Sequence, residues 1–434
     1  MTGVLEEVGV LVLGGGPAGS TAATILAEAG IETLVVEADR HPRFHVGESL
    51  LPHVTPLFER LGVHEAVRDL PHTRLKEGAS FTNAEGDRHA VFWFDQAVAP
   101  VESRAYQVRR DEFDDLLIRT AASRGADVRQ GWRATRPHWD GDRLAGAWVR
   151  TDWGDEGLVR ARAVLDATGQ AAFLATRMGW RAAYPGHRKV AILGHFEGVW
   201  LPEGREAGNV MIVVAQGGWF WVIPFRDGTA SVGLVSDADR WRREDGGPEA
   251  MFASGVEACP EAARRLAGAR RLFPAQAAQN FSFRVARLAG DGFALIGDAA
   301  GFLDPIFSTG IFLGMTTGFR AAENIRSALA AHGRVEARDF APTVALTRDL
   351  QKLFFSLIHA YYDPDFLAFF FRPRPAFGIP ESVVSLLAGD VLRPDRWRIV
   401  AKFRMLQALG RVQRWTHRLG RPLIPPLTRT PGAV

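Results

Sequence analysis

A glycine turn set between two apolar runs constrains this chain more than any other feature. Residues 8–13 form a short apolar run ending in glycines, as buried parallel strands do. Gly14-Gly15-Gly16-Pro17-Ala18-Gly19 follows, small residues continue at helical spacing to Ala29, and Gly30 stops them. Residues 33–36 are a second, β-branched run that closes on Glu37. Strand, glycine turn, helix and strand make a βαβ unit, which commits this part of the chain to a parallel sheet. Gly14, Gly16 and Gly19 meet three demands: a tight turn, close approach of backbone to a pyrophosphate, and close packing of helix on strand. A helix opening at Pro17 and Ala18 aims free N–H groups and its dipole at the phosphates. Glu37 lies roughly 20 residues on, where an acid accepts ribose hydroxyls and disfavours a 2′-phosphate. Glycines alone would say little; four parts in agreement predict a dinucleotide site.

The 434 residues leave room for two or three domains, or for one interleaved assembly. Short apolar and alternating runs such as 189–196 and 210–224 predict a mainly β middle from about 81 to 284. Residues 163–167 and 293–296 look like returns to the nucleotide-binding sheet. After Gly310 helical patterns dominate, most clearly at 315–330, 344–362 and 396–419. The expected fold class is α/β (α+β). A Rossmann-type domain in three pieces (1–80, 104–170 and 285–330) carries an inserted β-rich substrate domain (81–103 and 171–284). A helical region, 331–434, follows.

The single cysteine, Cys259, leaves no internal disulfide and fits a reducing cytosol. No basic leader or apolar signal segment follows Met1, and no apolar run approaches the roughly 20 residues of a spanning helix. A cytoplasmic protein with no transmembrane segment is expected. A net charge of +3 is too small to suggest a nucleic-acid partner. His41 and His45 are four apart, but Pro42 between them argues against a helix presenting both to a metal, and no metal is expected. His-Glu-x-x-His, Cys-x-x-Cys and Gly-x-Ser-x-Gly motifs are absent, so metal hydrolysis and serine esterase chemistry have no support.

A second strand-to-helix turn chooses the nucleotide. Gly297-Asp298-Ala299-Ala300 follows the run 293–296 and leads into Gly301-Phe302-Leu303-Asp304-Pro305. This resembles the second FAD fingerprint of the hydroxybenzoate-hydroxylase-like flavoproteins. The resemblance implies FAD, with Asp298 on the ribityl chain and the helix after Pro305 facing the flavin near Gly310.

Within that superfamily, three features resemble the flavin-dependent halogenases. Trp219-Phe220-Trp221-Val222-Ile223-Pro224 matches their W-x-W-x-I-P signature at each fixed position. The resemblance makes Trp219 and Trp221 a barrier between flavin and substrate; the plainer reading is a strand with two aromatics on one face. Lys76, in Leu75-Lys76-Glu77-Gly78-Ala79-Ser80-Phe81, sits where the family places its catalytic lysine. The only other lysines are Lys189, Lys352 and Lys402, which gives each one weight. An ammonium there hydrogen-bonds hypohalous acid, whereas a neutral amine carries the halogen itself, and desolvation favours the amine. The plainer reading is a solvated surface lysine. In Asp304-Pro305-Ile306-Phe307-Ser308-Thr309-Gly310-Ile311, the resemblance gives Thr309 and Gly310 the halide, held by a nest of N–H groups. Phe307 departs from the tryptophan halogenases, which have a glutamate at that place. That disfavours free tryptophan and points to phenolic or pyrrolic substrates, free or tethered to an acyl or peptidyl carrier protein.

Weaker matches agree. Gly47-Glu48-Ser49-Leu50-Leu51-Pro52 resembles the loop running past the flavin, with Ser49 as its contact. Gln107-Val108-Arg109-Arg110-Asp111-Glu112-Phe113-Asp114 resembles a cofactor-contacting segment, with Arg110 the contact. Asp166-Ala167-Thr168-Gly169 resembles the strand end over the adenosine half. The resemblance spans about 8–318. The chain lacks the Asp-Gly segment of single-component hydroxylases and a second Gly-x-Gly-x-x-Gly, so a separate flavin reductase is implied. Reduced FAD (FADH2), O2 and chloride or bromide are then the co-reactants of an oxidoreductase of secondary metabolism. Two alternatives stay open: a monooxygenase or prenyl-reductase-like oxidoreductase on the same scaffold, and a flavin-binding partner without catalysis. Phe366, Phe369, Phe370 and Phe371 read as core or as a pocket lining. Arg396, Arg398, Arg404, Arg411, Arg414 and Arg418 make the last helix basic, either as a solvated face or as a dock for an acidic carrier protein.

Overall fold

The strand Val4–Leu13 is buried from Val8 onward, and its inner half is the centre of the first sheet. A computed structural model describes residues 3–98, 100, 102–243, 246–279, 281–371, 379–419 and 423–424. In it Val4–Leu13 pairs in parallel with Thr33–Glu37 on one side and with Glu156–Asp166 on the other. Asp127–Gln130 and Phe293–Leu295 extend the parallel sheet at its two ends. The hairpin Arg133–Asp140 and Arg143–Arg150 is added antiparallel along the outer part of Glu156–Asp166. Strands buried on both faces lose their period-2 signature, which is why they read as plain apolar runs.

The helices Pro17–Glu28 and Thr309–His332 pack on each other through small residues. A Cβ on Gly318 would stand 2.4 Å from the Ala18 carbonyl oxygen, and one on Gly297 2.9 Å from the Ala18 Cβ. The second glycine-turn segment is thereby pressed onto the start of the first helix.

The second sheet runs in the order Arg270–Arg271, Lys189–Glu197, Ala230–Asp237, Gly218–Pro224, Val210–Ala215, Gly78–Asn83, His89–Trp93. One face carries Ala191, Leu193, Trp219, Trp221 and Ile223 into the main core. The other face, with Ile192, Phe220 and Val222, is covered by Met251 and Phe252 of the helix Gly247–Glu257 and by Ala262 of Pro260–Leu266.

One expected border needs correction, and two other expectations are extended. The border at residues 80 and 81 cuts the strand Gly78–Asn83, which belongs whole to the second sheet because it pairs in parallel with Val210–Ala215. The mainly β middle also holds those two covering helices. The expected helix at 315–330 begins at Thr309, because Ser308 (φ 56) turns the chain into it. In the C-terminal region the helices are Ala341–Tyr361, Pro364–Phe370, Ile379–Ala388 and Arg396–Arg418. The stretches 372–378, 420–422 and 425–434 of that expected region lie outside the described residues. Among the described residues no helix is long and apolar enough to cross a membrane, and no cluster of His, Cys, Asp and Glu is arranged for a metal.

Candidate active site

Gly14 has φ +103, and a Cβ there would stand 2.4 Å from the Ala167 carbonyl oxygen. Gly19 has even less room, 1.9 Å from the Gly14 carbonyl oxygen. Gly16 differs: its nearest neighbour is the Arg43 guanidinium at 3.8 Å, so this backbone faces open space above the helix that starts at Pro17. That division of labour is the one a pyrophosphate cradle needs. The Gly15 N–H donates to Glu37 Oε2 at 2.6 Å and the Asp39 N–H to Oε1 at 2.8 Å, which fixes the buried carboxylate at the strand end. A cradle open to a phosphate beside a fixed acid fits the adenosine half of FAD.

Asp298, Asp304, Thr309 and Gly310 line one cleft, which Phe302 and Gln351 help to enclose. Burial pushes the Asp298 carboxyl up to about 6, against the pull of the Arg110 guanidinium. Arg110 itself is buried and grips Asp114 with two bonds, at 2.7 and 2.9 Å, while its Nη1 donates to the Val46 carbonyl at 2.5 Å. The helix Thr309–His332 opens without a side-chain cap, so its first N–H groups are left for an anion. Pro305 begins the short turn Pro305–Phe307 that delivers the chain to that helix.

Lys76 ends the strand Arg74–Lys76, paired with Ala105–Gln107, and is 1% exposed. Its Nζ donates to Ser49 Oγ at 2.9 Å and to the Leu50 carbonyl at 2.8 Å, and lies 5.3 Å from the Phe94 ring centre. Burial brings it down to about 7. Among the described residues no carboxylate pairs with it, and Phe307 meets the Tyr361 ring edge-on at 5.7 Å instead. Ser49, expected beside the cofactor, has its hydroxyl turned to this lysine.

Trp219 and Trp221 are buried on one face of the strand Gly218–Pro224, their rings 5.9 Å apart. Trp221 bonds Ser231 Oγ at 3.1 Å and lies flat over Gly233, where a Cβ would stand 2.1 Å from its ring. Trp219 Nε1 donates to the Tyr362 hydroxyl at 3.0 Å, and that hydroxyl donates to Asp304 Oδ2 at 2.9 Å. Neither tryptophan lines the cleft around Asp298, nor does Lys76. The Tyr362 hydroxyl is the link from Trp219 to the turn before Thr309. Burial pushes the Asp304 carboxyl up to about 6, despite the Tyr362 and Ile306 donors.

Three features here, four side chains in all, are not assigned by a reading of the sequence. Tyr362 is one. Lys189 is a second buried lysine, bonded to Asp237 at 2.7 Å and 4.2 Å from the Tyr362 ring. The third feature is a pair: His195 Nε2 meets Glu48 Oε1 at 2.6 Å, with Phe44, Phe225 and Phe273 packed edge-on around the imidazole. Its signal was present, since Glu48 stands in the Gly47–Pro52 loop and His195 interrupts an apolar strand.

Residues 7–340 match the family described as FAD binding domain. The chain is 34% identical over 326 residues to a tryptophan 2-halogenase of Chondromyces crocatus, covering 74% of this chain and 61% of that one. It is 31% identical over 403 residues to a 1H-pyrrole-2-carbonyl-[peptidyl-carrier protein] brominase of Pseudoalteromonas luteoviolacea, covering 91% of this chain and 95% of that one. The solved structure of the flavin-dependent brominase Bmp2 superposes with a TM-score of 0.84 at 29% identity, covering 94% of this chain and all of that one. The chain thus spans less than two thirds of the first relative but nearly the whole of the second. With its glycine cradle, fixed Glu37, buried Lys76 and paired tryptophans, the chain belongs to the flavin-dependent halogenases, enzymes built on the FAD-binding domain fold.

Proposed function

We propose that this chain halogenates an electron-rich ring, pyrrolic or phenolic, presented as an acyl group on a carrier protein in secondary metabolism. The observation that carries the reading is Lys76: an amine without a carboxylate partner among the described residues, wholly buried, and near 7. Gly14, Gly16, Pro17, Ala18, Gly19 and Glu37 would hold the adenosine half of FAD, and Asp298 its ribityl chain. When bound and reduced, FAD supplies the activation of O2 that turns chloride or bromide into electrophilic halogen. The N–H groups at Thr309 and Gly310 would hold the halide, and Trp219 and Trp221 would keep the ring from the flavin. Lys76 receives the halogen. As an ammonium it donates a hydrogen bond to hypohalous acid; as an amine it forms an N–halogen bond while the O–halogen bond breaks and water leaves. In either route the ring carbon takes the halogen and loses its proton.

The absence of an acid at Phe307 supports a ring that is already electron-rich. The carrier is supported by the likeness to the brominase whose substrate is a carrier-bound pyrrole. A separate flavin reductase would supply reduced FAD. The test combines the protein with FAD, a flavin reductase, NADH, O2 and bromide. Substrates are monochlorodimedone, phenols, tryptophan and pyrrole-2-carbonyl thioesters. Mass spectrometry should find the bromine doublet with the parent and lose it with Lys76→Ala. Oxygenated product without halogen would overturn the reading in favour of a monooxygenase.

A further inference from the structure

The helix Arg396–Arg418 has two faces that differ in kind. Ile399, Phe403, Leu406, Gly410 and Gln413 are buried against the protein. On the opposite side Trp397, Met405, Leu409, Val412 and Trp415, with Leu419 just beyond, form an exposed apolar stripe; both tryptophans are 64% exposed. The spacing follows 3.6 residues per turn along the whole helix. Scattered apolar residues on a surface need no explanation, but large apolar side chains aligned along one side of a helix do.

The charges around the stripe are one-sided. The helix holds seven Lys or Arg and no Asp or Glu. Arg396 and Arg414, eighteen residues or five turns apart, are tied down to Asp349 and Asp363. Arg404, Arg411 and Arg418, each seven residues apart, run along one border of the stripe, and Arg398 and Lys402 flank the other. Among the described residues none of these five meets a carboxylate within salt-bridge distance. Exposed Trp and Arg around an apolar centre are the residues that carry binding energy at protein interfaces. Guanidinium forks are matched to carboxylate and phosphate.

We propose that this face docks an acidic carrier protein bearing the tethered substrate, which rests on the carrier-bound reading above. A second copy of the chain would bring like charges together. Position favours a substrate carrier over a lipid surface. Phe403 packs on Phe366 of the helix Pro364–Phe370 at 6.1 Å, and Phe370 on Phe81 at 4.8 Å, in the strand that starts two residues after Lys76. A partner docked here is joined to that strand through the helix Pro364–Phe370.

The test compares pyrrole-2-carbonyl loaded on a peptidyl carrier protein with the same acyl group on pantetheine. The enzyme is supplied with FAD, flavin reductase, NADH, O2 and bromide, as parent, as Arg404→Glu/Arg411→Glu/Arg418→Glu and as Trp415→Ser. Charge reversal should raise KM for the carrier substrate about tenfold or more and leave kcat/KM for the pantetheine thioester unchanged. Trp415→Ser should act in the same direction. Added salt should raise the parent's carrier KM and barely move that of the charge variant. Anisotropy of labelled holo-carrier reads docking without turnover, and absence of binding to the parent overturns the proposal. So do equal effects on both thioesters, or none. Sedimentation with phosphatidylserine vesicles that charge reversal abolishes, with carrier KM unmoved, assigns the face to lipid. Parent enzyme that brominates monochlorodimedone and the pantetheine thioester but not the carrier form removes the dock and keeps the halogenase. Failure on monochlorodimedone as well removes the halogenase reading and the dock with it.

Discussion

Lys76 is held where its charged form is disfavoured, and that has a consequence for folding as well as for chemistry. Its folded value near 7 lies below the usual 10.5, so between those values the unfolded chain binds the proton that the folded chain has lost. Stability therefore carries the full penalty below about 7 and regains it as pH rises toward 10. Asp298 and Asp304 act oppositely: each is raised from 3.8 to about 6, so the folded state is favoured below 4 and loses that advantage as pH rises through 6. Lys76→Met should flatten the rise of stability between pH 7 and 10 and leave the fall between pH 4 and 6 in place. Urea unfolding midpoints across pH check this, and an unchanged upper slope would show that Lys76 is not the titrating group. The lysine itself was legible because the chain has so few. Its holders, Ser49 Oγ and the Leu50 carbonyl, lie 27 and 26 residues away, and no local pattern pairs them with it.

Elements bring such residues together through close contacts that allow little change. Gly318 lies inside the helix Thr309–His332, where alanine is intrinsically better by about 1 kcal/mol. Its added Cβ would stand 2.4 Å from the Ala18 backbone oxygen, and neither helix backbone can yield cheaply. Gly318→Ala should therefore destabilise by about 1–3 kcal/mol, the cost of overpacking. It should also weaken FAD binding by moving the helix that faces the pyrophosphate. Thermal unfolding and flavin titration read the two effects, and a stabilised variant with parental FAD affinity would contradict the contact. Tyr362→Phe tests a different joint. It leaves Trp219 Nε1 and Asp304 Oδ2 without their partner, which should cost about 1–3 kcal/mol. Bromide KM should rise with it, because Asp304 begins the turn that leads to Thr309, while FAD affinity should hold. The inner parallel strands were legible as apolar runs because both their faces are buried, whereas Asp127–Gln130 at the sheet's end is polar and half-exposed and gives no such run. Gly78–Asn83 was not legible, for its six residues are all buried yet only Ala79 and Phe81 are apolar. Tyr362 was not legible because its partners come from a strand and a turn more than fifty residues away.

Across the whole molecule, one loop joins the second sheet to the two-stranded sheet of Arg74–Lys76 and Ala105–Gln107. The Glu48 carbonyl accepts from the Val108 N–H at 2.8 Å, and the Leu50 N–H donates to the Tyr106 carbonyl at 3.0 Å, which ties the loop beside the strand Ala105–Gln107. From the other side His195, on the strand Lys189–Glu197 of the second sheet, holds the Glu48 carboxylate, whose Oε2 has no other partner. Between these ties lie the two oxygens that hold Lys76. Removing one member of the pair leaves the other buried and unmatched, whereas replacing both with apolar groups of similar size need not. Glu48→Ala and His195→Ala should each destabilise by about 1–3 kcal/mol, and Glu48→Met/His195→Phe should recover most of that loss. Calorimetry of the parent and the three variants checks this. Because the loop acts on Lys76 only through Ser49 Oγ and the Leu50 carbonyl, halogenation should recover with stability in the apolar pair. A double variant that folds as well as the parent but stays inactive would make Glu48 or His195 a participant in the chemistry, and not only a tie between the sheets.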